Sequence, residues 1–191
     1  MSRVKTKTPT PDMAADLGWP SVTVFGVDPS MASTGWSVVR FVPFGLPTLL
    51  GYGNVTTSPG EDSSMKTIIE RSHQIFTGIT GAYSAWGTPW HAAVELPVPT
   101  TVKGRQGGNS QSGSIMAACA YNAILQANPQ CHVGLYHPNH TKKVVSGNGR
   151  AEKKEVKESV AAWLGGSVPR FNADVSDSIA VAITYALENM P

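Results

Sequence analysis

An apolar run, Val22-Thr23-Val24-Phe25-Gly26-Val27, stops at Asp28-Pro29-Ser30. Such a run reads as a buried strand, and the Pro-Ser turn leaves the Asp28 carboxylate at the strand's end. His91-Ala92-Ala93-Val94 leads into Glu95 in the same way, just before Leu96-Pro97. Asp174 and Asp177 open an apolar helix three residues apart, which puts them on one helical face with Cβ atoms roughly 5–6 Å apart. Each of the four carboxylates therefore stands where a strand or helix would aim it at one shared point. Hard oxygen donors of this kind suit Mg²⁺ or Mn²⁺ rather than zinc, and the set reads as a divalent-metal site for phosphodiester chemistry.

Each carboxylate also has a plain structural role to weigh. Asp before Pro forms turns, Glu before a Pro-containing segment can simply be solvated, and Asp174 suits the positive end of a helix dipole. Taken singly, those roles win. Four carboxylates beside apolar runs change the balance, because burying them unpaired is costly and a cluster needs cations to neutralise it.

At 191 residues the chain is long enough for one sizeable core and short for two full domains. The hydrophobic share of 41% is ordinary for a globular protein, and no apolar stretch approaches the ~20 residues of a membrane span. Residues 1–20 begin with Lys and Arg but continue with Thr, Pro and Asp, so they read as a flexible arm rather than a secretory signal. Residues 21–191 then form a single domain. Cys119 and Cys131 give neither a disulfide framework nor metal-ligand spacing and read as small buried apolar groups. A cytoplasmic, reducing setting is expected, in a bacterial or phage-infected cell or with an organelle left open.

The net charge of +2 indicates little by itself. Its distribution says more, since residues 101–158 carry Lys103, Arg105, Lys142, Lys143, Arg150, Lys153, Lys154 and Lys157 against Glu152, Glu155 and Glu158. Lys154 and Lys157 fit a solvated helix face with spaced charge pairs. Lys142, Lys143, Arg150 and Lys153 instead surround Ser146-Gly147-Asn148-Gly149, a turn that can bring backbone amides and cations close to a phosphate.

The order of elements is α/β. Strands at residues 22–27, 35–42 and 49–56, joined by turn-rich segments, suggest an antiparallel meander. Met65, Ile68, Ile69, Ile75, Phe76 and Ile79 keep the spacing of an amphipathic helix. A strand at 91–95 follows, then a Gly-, Ser- and Asn-rich loop at 97–114. Helices at 115–127, 140–145, 153–164 and 174–189 and a strand at 132–136 complete the chain. No repeat and no second hydrophobic core is apparent. The loop is longer than most connections in a compact domain, which points to function or mobility.

Several of these segments resemble one family. Phe25-Gly26-Val27-Asp28-Pro29-Ser30, followed by Thr34-Gly35-Trp36-Ser37-Val38-Val39, is similar to the first hairpin of the RuvC Holliday-junction resolvases, which have the RNase H-like fold. Ala93-Val94-Glu95, the element Gly147-Asn148-Gly149-Arg150-Ala151-Glu152-Lys153 and Asp174-Val175-Ser176-Asp177 follow in the family's order. The resemblance implies a mixed five-stranded sheet, first three strands antiparallel, flanked by helices. It implies catalytic, metal-holding carboxylates at Asp28, Glu95, Asp174 and Asp177, with two Mg²⁺ or Mn²⁺ ions per site. It also implies a catalytic or DNA-contacting role for Lys153 and Lys142, and branched DNA as the partner. Lys103, Arg105, Lys143 and Arg150 complete the expected DNA contacts. In this scheme Asp28 bridges the ions, Glu95 and Asp177 complete their sites, Asp174 supports the water-activating side, and Lys153 stabilises the pentavalent phosphate.

One departure stands out. Family members present an aromatic wedge after the strand glutamate, whereas Leu96-Pro97-Val98 follows Glu95 here, leaving junction opening to Val98 or to the loop through Ser114. Other branched DNA or structured RNA therefore stays open as a substrate. A nucleotide-binding relative of the actin-like ATPases is disfavoured by length. Two symmetric cuts with one site per chain imply a homodimer, for which the small-residue helix with Ala117, Ala118 and Ala120 is a candidate face.

Overall fold

The computed structural model describes residues 21–58, 64–97, 101–102, 105–106, 108–166 and 171–190, with only the backbone described for those in 101–111. Residues 1–20, expected to form an arm, lie outside the described residues, as do Val98 and Lys103.

Strands β1 (Val22–Asp28), β2 (Ser33–Phe41) and β3 (Thr48–Thr56) form the antiparallel meander. β4 (His91–Glu95) pairs parallel with β1, and β7 (His132–Tyr136) parallel with β4, giving the order β3-β2-β1-β4-β7. The mixed five-stranded sheet expected from the sequence is present. Helices cover both faces: α1 (Met65–Ala85) and α2 (Gly108–Ala127) on one, α3 (Pro138–Ser146), α4 (Lys153–Trp163) and α5 (Ala173–Asn189) on the other. Alternation along β1 divides the core into two layers, with Phe25 and Val27 facing α1 and α2 while Val24 faces α5. The single core expected from chain length is thus two apolar layers on one sheet.

The segment at 97–114 is not the continuous loop that its composition suggests. It holds a small hairpin, β5 (Thr101–Val102) with β6 (Arg105–Gln106), and α2 begins at Gly108 rather than Ile115. Gly, Ser and Asn are weak helix formers, so propensity understated the helix; continuity with the apolar part of α2 carries it. α1 likewise runs past Ile79 because Ala82 and Tyr83 keep its buried stripe going to Ala85. Among the described residues no helix is long and apolar enough to cross a membrane.

Local signals set the ends of the helices near the carboxylates. Pro138 starts α3 and Gly147, at φ 77°, ends it. The Glu152 N–H donates to the Glu155 carboxylate (2.6 Å) at the start of α4. The Asn172 side chain accepts from the Val175 N–H (3.0 Å) and fixes the first turn of α5.

Candidate active site

Register and pleat bring Asp28 and Glu95 together. Val27 pairs with Val94 across the parallel β1–β4 ladder, so the next residues are neighbours at one end of the sheet, on strands roughly 4.8 Å apart. Asp28 shares a face with Val24, and Glu95 shares one with Ala93; both of those residues belong to the α5 layer. Period-two alternation thus turns both carboxylates towards α5.

Two glycines let α5 come close enough to meet them. A Cβ on Gly26 would lie 2.1 Å from the Ser178 carbonyl oxygen, and one on Gly35 would lie 2.2 Å from that of Asp174. Gly35 is also the cross-strand partner of Asp28. The first turns of α5 therefore rest on bare backbone beside Asp28, and they carry Asp174 and Asp177 to the same sheet end. The sequence reading missed this pair, although glycine inside a strand is the expected signal of close backbone approach.

All four carboxylates are half-buried, and their charges act on one another. Burial pushes the Asp28 carboxyl up to about 7, with Asp177 and Asp174 adding to the rise and Lys153 opposing it. Burial raises Glu95 to about 9, reinforced by Asp28 and Asp177 and opposed by Lys142 and Lys153. Asp177 is raised by burial, against the pull of Lys153 and Lys142 and with a further push from Asp174. Two lysines therefore act on the cluster without balancing it.

Lys142 (α3) thus acts on Glu95 and Asp177, and Lys153 (first residue of α4) on Asp28, Glu95 and Asp177. Among the described residues Lys153 has no ion pair, whereas its neighbour Lys154 lies 3.9 Å from Glu158. Lys157, expected on a solvated face, sits over the Phe171 ring at 5.7 Å. Lys143 and Arg150 are exposed and are not among the charges that shift the carboxylates. Arg105 lies in β6, where only its backbone is described.

Among the described residues no three His, Cys, Asp or Glu side chains are placed so that they could hold a metal ion as they stand. The chemistry of the donor set still suits a divalent cation: oxygen ligands alone, half-buried, repelling one another, with less positive charge nearby than their ionised forms require.

Residues 24–185 match the family model described as crossover junction endodeoxyribonuclease RuvC. The chain belongs to the RuvC family. The match spans all four carboxylates together with Lys142 and Lys153. The RuvC crossover junction endodeoxyribonuclease of Nitratidesulfovibrio vulgaris is 32% identical over 170 residues, covering 86% of this chain and 90% of that protein. Thermus thermophilus RuvC superposes with a TM-score of 0.65 at 27% identity, covering 86% of this chain and 93% of that one. T. thermophilus RuvC in complex with a Holliday junction substrate gives a TM-score of 0.66 at 25% identity, with 87% and 94% covered.

Proposed function

We propose that this RuvC-family protein is a metal-dependent, structure-selective DNA endonuclease that resolves four-way junctions by paired, nearly symmetric nicks. The observation that carries the reading is the carboxylate cluster at one end of the sheet, within a chain matched to the RuvC family across every member of that cluster. Divalent metal dependence follows from the family and from the donor set. The finer assignment is two Mg²⁺ or Mn²⁺ ions, which Asp28, Glu95, Asp174 and Asp177 would hold.

When bound, the ions would activate water and stabilise the leaving oxygen of a phosphodiester. The chain's own residues do the rest. Asp28 and Glu95 offer fixed ligand charge from the sheet, and Asp174 and Asp177 offer it from α5. Lys153 and Lys142 supply positive charge for a phosphate that gains negative charge on the way to the pentavalent state. Lys143, Arg150, Lys103 and Arg105 are assigned to the DNA arms, where they hold the backbone without reading sequence.

Paired cuts require paired sites, so the working unit is a homodimer in the cytoplasm. Its interface is assigned to an apolar groove of about 380 Å³ beside the end of β4. Leu96, Pro97, Ala117, Ala118, Tyr121 and Leu135 line it; Leu135 is 49% exposed. A second copy there would cover an apolar face that borders the β7 edge strand.

Leu96 is aliphatic and packs in part against the α1–α2 core layer, so other branched DNA or structured RNA is kept as the second reading. Synthetic four-way, three-way and flap DNAs and a structured RNA, each incubated with Mg²⁺ or Mn²⁺, separate the two. Preferential cutting of the four-way junction supports the proposal; equal nicking of flaps, or cutting of RNA alone, supports the second reading.

A further inference from the structure

The four-residue connection after Asp28, residues 29–32, is held by bonds that a simple hairpin turn does not need. Arg71, in the second turn of α1, donates from Nε to the Thr57 hydroxyl (2.7 Å) and from Nη2 to the Met31 carbonyl (2.9 Å). The Thr57 hydroxyl itself donates to the same Met31 carbonyl (2.6 Å), and the Thr57 N–H to the Ala32 carbonyl (3.2 Å). On the other side of the connection, the Ser30 N–H donates to the Thr34 hydroxyl (3.2 Å), which donates back to the Ser30 carbonyl (2.9 Å). Thr34 is fully buried and Thr57 nearly so.

This knot joins the start of α1, the end of β3 and the link between β1 and β2. The link has Asp28 at one end and, just past the start of β2, Gly35, the seat of Asp174, at the other. Two antiparallel strands already paired from Asp28 to Gly35 need no charged side chain to close their turn. Partly burying a guanidinium against neutral oxygens costs desolvation, so the conformation of the link is what the arrangement secures. Arg71 is not among the charges that shift Asp28 or Glu95, so any effect on the chemistry passes through the backbone it holds.

We infer that Arg71 and Thr57 act together as positioning residues, fixing the 29–32 link that sets Asp28 and the seat of Asp174 against the scissile phosphate. The inference rests on the nuclease reading above and deepens it. Misplacement of reacting groups by about 1 Å can cost roughly 10²-fold in rate, and loosening a link that remains tethered at both ends should cost less.

The test uses full-length Arg71→Lys, Thr57→Val and the double variant. Lysine keeps the charge but loses the two-pronged donor, and valine removes the shared hydroxyl. Each single variant should cut a four-way junction about 10-fold more slowly in single turnover, with junction affinity unchanged. The double variant should be no slower than either single one, because the bonds form one unit. Amide exchange in residues 30–33 should quicken in both variants. A multiplicative double-variant loss, weakened affinity in step with the rate, or unchanged exchange would each overturn the inference. Wild-type protein that cuts no branched substrate would instead sink the nuclease reading, and the exchange measurement would still decide whether Arg71 and Thr57 pin the link.

Discussion

Gly35 of β2 lies under the first turn of α5 so closely that a Cβ there would come within 2.2 Å of the Asp174 carbonyl oxygen. The clashing atom is backbone, so a side chain cannot swing away to make room. Gly35→Ala must therefore lift the start of α5 or distort β2. Overpacking of this kind costs about 1–3 kcal/mol, and displacing Asp174 and Asp177 should cost roughly 10²-fold in single-turnover cleavage. Thermal melts and cleavage kinetics on the same preparation check both effects. An alanine variant with native rate would mean that the position of α5 does not set the chemistry.

The metal-free carboxylates should make stability fall as pH rises. Glu95 moves from 4.5 to about 9 and Asp28 from 3.8 to about 7 on folding, so the folded state binds more protons than the unfolded chain between those limits. Stability is then greatest below the unfolded values and declines as pH climbs towards about 9. Saturating Mg²⁺ or Mn²⁺ should flatten the decline by neutralising the ionised forms. Melting temperature against pH, with EDTA and with metal, reads this directly; parallel curves would contradict the assignment.

Much of the fold was legible because the sheet strands advertise themselves. β4 and β7 fall at the residues their apolar patterns indicated, and Asp28 and Glu95 end their strands as expected. The start of α2 was hidden because Gly108-Asn109-Ser110 carry no apolar period and little helix propensity. Gly26 and Gly35 were visible as glycines, but their function depends on an α5 packed across them from more than a hundred residues away in sequence. Arg71 was concealed at shorter range, since Met31 and Thr57, 40 and 14 residues away, become its partners only through the meander. Lys142 was left between a catalytic and a DNA-contacting role, and only the fold separates a lysine that acts on Glu95 and Asp177 from Lys143, which faces solvent.

That separation can be measured. Lys142→Gln and Lys153→Gln should slow the chemical step by about 10²-fold or more, the scale seen when one electrostatic stabiliser is removed. Lys143→Gln and Arg150→Gln should leave the single-turnover rate intact and weaken junction binding instead. Each lost phosphate contact should make the slope of log K against log salt shallower by about 0.9 on duplex arms. Fluorescence anisotropy over a salt series, beside quenched cleavage at saturating protein, distinguishes the two groups. A rate loss in Lys143→Gln equal to that in Lys142→Gln would show that the division is misplaced.

The central claim is that the cluster around Asp28 cuts both strands of a four-way junction through two copies of the chain. The most direct measurement maps the cuts on a junction labelled on all four strands, with Mg²⁺, for wild type, Asp28→Asn and an equimolar mixture of the two. Wild type should give nearly symmetric nicks on one pair of opposing strands, and Asp28→Asn should bind the junction but lose about 10³-fold or more in rate. Mixed dimers should accumulate junctions nicked on one strand only. Near-native cutting by Asp28→Asn, or a mixture that yields only uncut and doubly cut junctions, would contradict the account.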